Sequence, residues 1–534
     1  MVLHRLVSIG LGVCSLCACS SGMDFVMESP LDRPLWRGER AGVVVNAVAD
    51  SDVNSVAFSV KGLPEGFAEI TLLKSVKGDC FAEGYRQCGA HEGDGRDSIY
   101  VYDRITSENR TTVSPGDTVK LWLSVRIPPH ARPGPYKGTI AAKGPLFSKS
   151  VPFEIRVCDR VLPGPHDWSF HLDLWQNPFA VARYYDVTPW SEEHFNKMTP
   201  LMRRLAEAGQ KVVTATIIDR PWNGQTWDPY SSMIVKYHSP DGKWSYDYSA
   251  FDKWVEFMFS LGIDSQINCY SMIPWRMSFD YIDLESGETR YLEASAGSRE
   301  YYDYWFHFLE DFASHLRAKG WFERTMIAMD ERPEDTMVQA MKIIKTAVPG
   351  MKISLTGDCH PSIDDAIDDL CITFSRHFPD EMVKGRRLEG KTSTYYVCCA
   401  ERFPNTFLAS DPMEATWLGW YAAAEGLDGL LRWAYNSWTE DPDNDARFRT
   451  WPAGDCYIVY PQGSSVRFER LVEGIQDYEK IRILKEEWSD RPDRLSALEE
   501  ALSLFTLPEL EQSGAASAIS EARKAIDSYL SGGD

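Results

Sequence analysis

Positive charge is scarce in this chain of 534 residues, which has 56 Lys and Arg against 78 Asp and Glu and a net charge of −22. Proteins that bind nucleic acid need a basic surface to neutralise phosphates, so this balance excludes that class. Beyond the N-terminus the sequence also lacks any run of about 18 apolar residues, the length that a membrane-spanning helix requires. With 44% hydrophobic and 25% charged residues, the composition is that of a globular protein.

Several catalytic signatures are missing as well. No HExxH pair and no GxSxG elbow occurs, so metallopeptidase and serine hydrolase activities lack support. Residues 385–392 match the Walker A letters, but a helix-like stretch precedes them and a strand follows, the reverse of the required order. Residues 441–445 begin like a calcium loop, yet Ala446 and Pro452 stand where Gly and Glu are needed. We therefore predict no metal and no cofactor.

The N-terminus resembles a secretory signal over residues 1–18, with Arg5 as its positive end and an apolar stretch after it. Residues 16–19 resemble a bacterial lipobox, in which Cys19 would be lipidated; the alternative is a plain signal peptide cleaved nearby. The sequence thus predicts an exported lipoprotein, periplasmic or on the cell surface, that touches the membrane only through its lipid.

Cysteine spacing does not indicate a disulfide framework, because the nine cysteines outside the signal are odd in number and irregularly placed. Cys80 and Cys88 flank a loop, and the sequence leaves open whether they form a bridge.

Residues 24–160 have the pattern of an antiparallel β-sandwich. Short β-branched runs are separated by Gly, Pro and Asp turns; they cover residues 41–48, 55–60, 119–125 and 151–157.

Residues 166–485 alternate between strand-like and helix-like segments. The predicted strands cover residues 169–175, 212–218, 265–270, 325–329, 352–356, 370–374, 394–398 and 429–435. The clearest helices cover residues 192–208, 251–261, 299–318, 412–425 and 467–485. Eight strands, each followed by a helix, predict a (β/α)8 barrel. An open doubly wound sheet is the alternative, but it would usually have a Gly-rich loop after its first strand. Residues 486–534 are predicted to form a tail of one or two helices.

Active sites of such barrels lie at the C-terminal ends of the strands, and those ends are rich in Trp, Tyr, Asp, Asn and Arg here. Aromatic faces and planar polar groups are what a sugar site needs. The predicted substrate-binding residues are His171, Asp173, Asn177, Arg183, Trp433, Tyr435, Asn436 and Trp438.

The adjacent carboxyl groups of Asp330 and Glu331 follow the fourth predicted strand, and Pro333 stops the strand ladder. Most glycosidases instead place two carboxyl groups on opposite sides of the scissile bond. Adjacency favours a different mechanism, in which the 2-acetamido group of the substrate attacks the anomeric carbon. Asp330 would orient that group, Glu331 would act as acid and base, and a Tyr hydroxyl would bind the amide oxygen.

Five segments together resemble glycoside hydrolase family 123; they cover residues 170–178, 328–331, 432–438, 454–461 and 467–479. The resemblance implies a sandwich followed by a barrel, and a retaining β-N-acetylgalactosaminidase, exo- or endo-acting, that uses substrate-assisted catalysis. The Asp-Glu pair of the family falls on Asp330 and Glu331. We predict Tyr395 as the tyrosine of the acetamido oxygen, with Tyr435 as second choice.

The leading hypothesis is therefore removal of terminal β-linked N-acetylgalactosamine from glycolipid or glycoprotein glycans. In one alternative the sugar is N-acetylglucosamine, which differs only at the C4 hydroxyl, and Asn177 and Arg183 are candidates for that contact. The other alternative is a non-catalytic glycan-binding lipoprotein, against which the intact Asp330-Glu331 pair argues.

Overall fold

The structure is a computed structural model that describes residues 23–28, 31, 33–50, 52–79, 98–145, 147–379, 381–449 and 451–531. The predicted signal segment, the lipidation site Cys19 and the pair Cys80 and Cys88 lie outside these residues.

The N-terminal part is built from ten strands, whose β-branched and aromatic residues suit a half-buried pleated surface. They are β1 (Met23–Met27), β2 (Leu35–Arg37), β3 (Arg40–Ala49), β4 (Val53–Lys61), β5 (Ala68–Asp79), β6 (Ser98–Ile105), β7 (Arg110–Val113), β8 (Thr118–Arg126), β9 (Gly134–Lys143) and β10 (Ser148–Val161). One sheet has the order β1-β3-β8-β5-β6, and the other has the order β2-β10-β9-β4-β7. Alternate residues such as Val45, Leu121 and Ile140 are fully buried in a shared core. Except for the parallel β2–β10 pair, the strand pairs of these two sheets are antiparallel.

The remaining strands belong to the C-terminal part. They are β11 (His171–Leu174), β12 (Val212–Thr216), β13 (Val235–His238), β14 (Trp244–Asp247), β15 (Gln266–Tyr270), β16 (Ser278–Asp283), β17 (Thr289–Glu293), β18 (Thr325–Met329), β19 (Lys352–Gly357), β20 (Asp369–Thr373), β21 (Thr392–Tyr396), β22 (Gly429–Arg432) and β23 (Ser464–Ser465). Eight of them form a parallel sheet in the order β11-β22-β21-β20-β19-β18-β15-β12. The sheet nearly closes into a barrel, because the Lys211 N–H donates to the Leu172 carbonyl across the last gap.

Eleven α-helices are described. They are α1 (Pro178–Tyr185), α2 (Glu192–Ala206), α3 (Ser249–Ser260), α4 (Arg299–Lys319), α5 (Glu334–Ala347), α6 (Met382–Leu388), α7 (Pro412–Ala424), α8 (Val466–Glu487), α9 (Pro492–Leu502), α10 (Leu507–Ser513) and α11 (Ala515–Ser531). Short 3₁₀ helices cover Pro165–Asp167, Phe322–Arg324 and Asp364–Ala366. In the described part of the chain, no helix has an 18-residue window apolar enough to cross a bilayer.

The barrel departs from the regular alternation at one strand. The fifth strand, β19, is followed only by the 3₁₀ turn Asp364–Ala366, so the expectation of a helix after every strand was wrong there. The C-terminal tail also differs, since it forms three helices where one or two were predicted. It packs on the barrel through Phe505, whose ring stacks on Trp420 at 4.7 Å.

A third difference is the four-stranded sheet β14-β13-β16-β17, which the sequence pattern did not predict. Its strands are inserted after β12 and after β15, on the side of the barrel where the strands end. Phe279 of this sheet is fully buried against Trp305 of α4. The insertion therefore becomes a rigid wall beside the barrel opening.

The N-terminal sheets are joined to the barrel by hydrogen bonds and a buried ion pair. Strand β23, just before α8, pairs with β6. The Arg467 guanidinium binds Asp103 at 2.9 Å, and both side chains are about 2% exposed. Because breaking a buried pair of this kind costs about 3–5 kcal/mol, the two parts are firmly connected.

Candidate active site

A pocket of about 600 Å³, including its mouth, opens at the C-terminal ends of the barrel strands. Its size and its largely aromatic lining are typical of small-ligand sites. The lining residues are Trp175, Trp222, Gln225, Trp275, Asp330, Glu331, Thr356, Tyr396, Cys398, Cys399, Leu431, Trp433 and Trp451.

Asp330 lies at the base of this pocket, directly after β18, and is 6% exposed. Its Oδ2 atom accepts hydrogen bonds from the indole N–H groups of Trp222 and Trp275, each at 2.8 Å. Its buried Oδ1 atom has no hydrogen-bond partner among the described residues. One oxygen is thus fixed by two donors, while the other is left to accept from a ligand.

Burial raises the pKa of Asp330 from 3.8 to about 6. The neighbouring Glu331 charge contributes to this rise, and the Trp275 and Trp222 hydrogen bonds and the Arg332 charge partly oppose it. At neutral pH Asp330 is therefore an anion, in a place where a positive charge nearby would be strongly stabilised.

Glu331 is exposed at the pocket mouth and accepts a hydrogen bond from the Tyr396 hydroxyl. The backbone turns between the two acids, because the Arg332 N–H donates to the Asp330 carbonyl at 2.6 Å. Burial raises the pKa of Tyr396, so its hydroxyl stays protonated and remains a donor to Glu331. The two carboxyl groups consequently occupy one pocket in different environments, one buried and one accessible.

Aromatic rings form the floor and walls. Trp175 stacks on Trp222 at 4.7 Å and lies 4.6 Å from the Tyr270 ring. Directly after the neighbouring strand β22, the Trp433 indole N–H donates to the buried Asp455 carboxylate at 3.3 Å. Flat apolar faces of this kind suit the C–H surfaces of a sugar ring.

Two loops meet on the side of the pocket away from Glu331. Strands β18 and β22 are four places apart in the eight-stranded sheet, so the segment after β22 faces Glu331 across the pocket. Trp451 of this segment donates its indole N–H to the Gln225 carbonyl at 3.1 Å, and Arg449 donates to the Gly224 carbonyl at 2.9 Å. These bonds join the loops after β12 and β22 and close that side.

Tyr395 does not belong to this pocket, which corrects the sequence prediction. Its hydroxyl donates to the Leu418 carbonyl of α7, and its ring is buried between strand and helix. Successive strand residues point to opposite faces, so Tyr396, one position later, points into the barrel opening. Tyr435, the second choice, donates to the Leu201 carbonyl of α2 and is also buried away from the pocket.

Four other predicted substrate contacts connect structural elements instead. Asn177 caps α1 and exchanges hydrogen bonds with Asn436. Arg183 binds the Asp228 carboxylate and the carbonyls of residues 438–440. Trp438 is buried and donates to the Val459 carbonyl. After Arg432 the chain leaves the sheet and packs on α1, so these polar groups satisfy backbone atoms rather than a ligand.

His171 and Asp173 lie in the barrel interior below the pocket. Asp173 is buried and accepts from the Asn268 amide at 3.5 Å, and the His171 ring is 3.8 Å from the Asp369 carboxylate. Burial raises the pKa of Asp173 well above its usual range, and the Asp369 charge adds to this shift. Of the eight predicted substrate-binding residues, only Trp433 lines the pocket.

Four lining residues to which the sequence reasoning gave no site role share one signal. Trp175 directly follows β11, Tyr396 is the last residue of β21, and Trp222 and Trp275 lie six and five residues after β12 and β15, at the strand ends where active-site residues are expected. Thr356 carries the same signal, as the second-to-last residue of β19. Selecting aromatic residues at these ends, before the chain turns away, would have found them.

No cluster of three or more His, Cys, Asp or Glu side chains in the described ranges is arranged to hold a metal ion. In the calcium-like segment, Asp441 accepts from Asn444, and Asp443 binds Tyr184 and Arg104. These carboxylates are engaged with protein groups.

Cys399 in the pocket wall forms a disulfide, whereas its neighbour Cys398 is a free thiol. The other cysteines in the described ranges are free thiols.

Comparisons with known proteins place the chain in a family and support its fold. The family model described as glycoside hydrolase 123, catalytic domain, matches residues 175–484, and that of the glycoside hydrolase 123 N-terminal domain matches residues 27–144. A solved family 123 glycoside hydrolase from Clostridium perfringens, described for glycolipid glycan hydrolysis, has 24% identity and a TM-score of 0.84. The match covers 95% of this chain and 98% of that one. A β-glucuronidase from Parabacteroides merdae has 10% identity and a TM-score of only 0.31 over 84% of this chain and 52% of its own. No curated protein matches.

Proposed function

The chain belongs to glycoside hydrolase family 123, and we propose that it removes terminal β-linked N-acetylgalactosamine from glycans with retention of configuration. The observation that supports this proposal best is the unequal environment of the two adjacent acids. Asp330 is buried, with one oxygen fixed by two indoles and the other unpartnered among the described residues, whereas Glu331 is accessible and held by Tyr396.

In the proposed reaction the sugar enters with its 2-acetamido group toward Asp330. The free Oδ1 of Asp330 accepts the amide N–H and turns the amide oxygen toward the anomeric carbon. Glu331 protonates the glycosidic oxygen as the bond to the leaving group breaks, and an oxazolinium ion forms. The Asp330 carboxylate offsets its positive charge in a site with little water, where such an interaction is strongest.

Water then completes the cycle. Glu331, now ionised, removes a proton from the water that attacks the anomeric carbon, and the acetamido group is released. Two displacements at the same carbon retain its configuration. Tyr396 enters this scheme in a different role from the one predicted for Tyr395: its hydroxyl binds Glu331 and so places the acid beside the glycosidic oxygen.

The closed wall opposite Glu331 favours a terminal sugar. The leaving group departs on the side of the acid, so the far wall faces the non-reducing side of the ring. The bonds from Trp451 and Arg449 to residues 224–225 join two loops there, so we expect no room for a preceding sugar. We propose glycolipid glycans as the source, by analogy with the description of the Clostridium perfringens protein.

We also propose that the protein is an exported lipoprotein anchored through Cys19. The lipobox-like residues 16–19 carry this proposal, and the Cys399 disulfide supports it, since disulfides persist mainly outside the cytosol. Metabolic labelling with a fatty acid should label the wild type and not Cys19→Ser; equal labelling would refute the anchor.

The function is tested by nitrophenol release from the β-N-acetylgalactosaminide and the β-N-acetylglucosaminide side by side. We expect strong preference for the first, and we expect Glu331→Gln to lower turnover by orders of magnitude while substrate still binds. Preference for the glucosaminide would transfer the proposal to that sugar. Release from neither, nor from GalNAc-terminated oligosaccharides, would favour a glycan-binding lipoprotein.

A further inference from the structure

The two donors to Asp330 come from loops that the inserted sheet connects. Trp222 follows β12, and Trp275 follows β15. The Trp275 backbone N–H donates to the Pro221 carbonyl at 2.8 Å, so the two loops touch beside the pocket. The strands β13, β14, β16 and β17 continue these same loops, and the reaction proposed above uses none of their residues.

A buried ion pair holds this sheet together and connects it to the barrel. The Lys236 side chain of β13 has no exposure, and its ammonium lies 3.6 Å from the Asp280 carboxylate of β16. The ammonium also donates to Ser232 Oγ at 3.1 Å and to the Ile234 carbonyl at 3.2 Å. Asp280 Oδ1 accepts the backbone N–H of Asp219 at 2.9 Å. One charge pair thus fixes two strands of the insert and the segment that leaves β12.

The groups around this pair are mostly acidic or phenolic. The Asp219 carboxylate accepts from the Tyr291 hydroxyl at 3.1 Å and lies 3.7 Å from the exposed Arg220. The Tyr304 hydroxyl of α4 donates to the Asp280 carbonyl at 2.8 Å. Burial raises the pKa of Asp219, and the Asp280 charge adds to this. Without the ammonium of Lys236, two neighbouring carboxylates would repel each other in a confined space.

We propose that Lys236 and Asp280 are positioning residues that align the Trp222 and Trp275 indoles on Asp330. Asp219 is three residues before Trp222, and Asp280 is five residues after Trp275, so a shift of the pair moves both donors. The inserted sheet is then a scaffold that keeps the two hydrogen bonds on one carboxylate oxygen. This inference rests on the proposed function in one respect only, which is that the ionised Asp330 carboxylate takes part in the reaction.

The alignment has a measurable consequence at Asp330. Hydrogen bonds to a carboxylate favour its ionised form, so a loss of alignment raises the pKa of Asp330. The other charged groups that face Asp330 are Glu331 and Arg332, neither of which contacts the Lys236 pair in the described structure. A change at Lys236 therefore reaches Asp330 through the indoles.

The test follows the two indole N–H signals by NMR, in protein labelled with ¹⁵N-tryptophan and titrated from pH 4 to 8. Trp222→Phe and Trp275→Phe assign the signals, whose common midpoint reports Asp330. For Lys236→Met we expect that midpoint to rise by about one pH unit, from the loss of one charge-assisted hydrogen bond. The acid limb of kcat/KM for nitrophenyl β-N-acetylgalactosaminide should move by the same amount.

Two variants separate alignment from general damage. Lys236→Arg keeps the positive charge, so both indole hydrogen bonds should remain. The titration midpoint of Asp330 should then stay within about 0.3 pH units of the wild-type value, well below the shift of about one unit expected for a lost hydrogen bond. Lys480→Met removes another largely buried lysine, paired with Glu39 and Asp477 far from the pocket, and should lower stability without moving the midpoint.

A folded Lys236→Met protein with the wild-type midpoint would overturn the proposal. If that variant does not fold, Asp280→Asn undergoes the same test, with the same two outcomes. Indole titration without hydrolysis would refute the proposed function and leave the alignment standing.

Discussion

Burying an ionised Asp330 should destabilise the fold, and Asp330→Asn should remove that cost. The carboxyl is 6% exposed, and its pKa rises from 3.8 to about 6 in the folded chain. By proton linkage this difference of about two units corresponds to about 3 kcal/mol. Below about pH 3 the group is protonated in both states, so the cost is absent. It grows between pH 3.8 and 6 and is complete at higher pH.

Urea unfolding of wild type and Asp330→Asn at pH 4 and pH 7.5 measures this effect without any substrate. We expect the variant to be more stable by about 3 kcal/mol at pH 7.5 and by only about 0.5 kcal/mol at pH 4, where about half of the unfolded chains carry an ionised carboxyl. Its amide oxygen can still accept the indole hydrogen bonds, so packing is preserved. Asp490→Asn, at a side chain that is 85% exposed, controls for the loss of a negative charge. A variant less stable than the wild type at pH 7.5, or equally shifted at both pH values, would refute the reasoning.

Three further predictions concern Tyr396, Arg183 and the disulfide of Cys399. Tyr396→Phe removes the hydroxyl that holds Glu331 and should lower kcat/KM by about 10- to 100-fold. Tyr395→Phe, its matched control outside the pocket, should change kcat/KM less than about twofold. Equal effects would contradict the assignment of Tyr396, and not Tyr395, to the pocket. Arg183→Ala should lower the free energy of unfolding by about 2 kcal/mol in urea titrations and leave KM unchanged, because this side chain binds protein groups. A large rise in KM would instead show that Arg183 contacts the substrate. Reduction of the Cys399 disulfide should lower the free energy of unfolding by about 2–4 kcal/mol, measured on oxidised and reduced protein. Identical free energies of unfolding would show that this cross-link does not stabilise the fold.

The barrel could be predicted because its strands are short, buried on both faces and separated by strongly periodic helices. Residues 325–329, for example, were assigned as a strand with the bounds that the structure has. The sheet β14-β13-β16-β17 could not be predicted, since its strands are four to six residues long and lie in what looked like two long loops. The 3₁₀ turn after β19 was also hidden, because acidic residues such as Asp364 and Asp365 suit a helix start equally well.

The site could be predicted in part, because two of its residues follow directly after a clearly recognisable strand. Adjacent acids after a strand indicated Asp330 and Glu331, since a strand end lets neighbouring side chains share one pocket. The polar residues near Trp438 were assigned to substrate because they follow a barrel strand. The structure shows that the chain turns there to pack on α1, where asparagine and arginine satisfy buried backbone atoms. Sequence spacing alone does not distinguish a polar group that serves a ligand from one that caps a helix.

Participation of the acetamido group is the central claim, and one series of substrates tests it most directly. Nitrophenyl β-N-acetylgalactosaminides with zero, one, two and three fluorine atoms on the acetyl methyl differ in the nucleophilicity of the amide oxygen and little in size. If this oxygen attacks the anomeric carbon while Asp330 orients it, kcat/KM should fall steeply with each fluorine, by orders of magnitude across the series. A rate that does not change with fluorine content would contradict the mechanism and assign the attack to a protein carboxylate or to water.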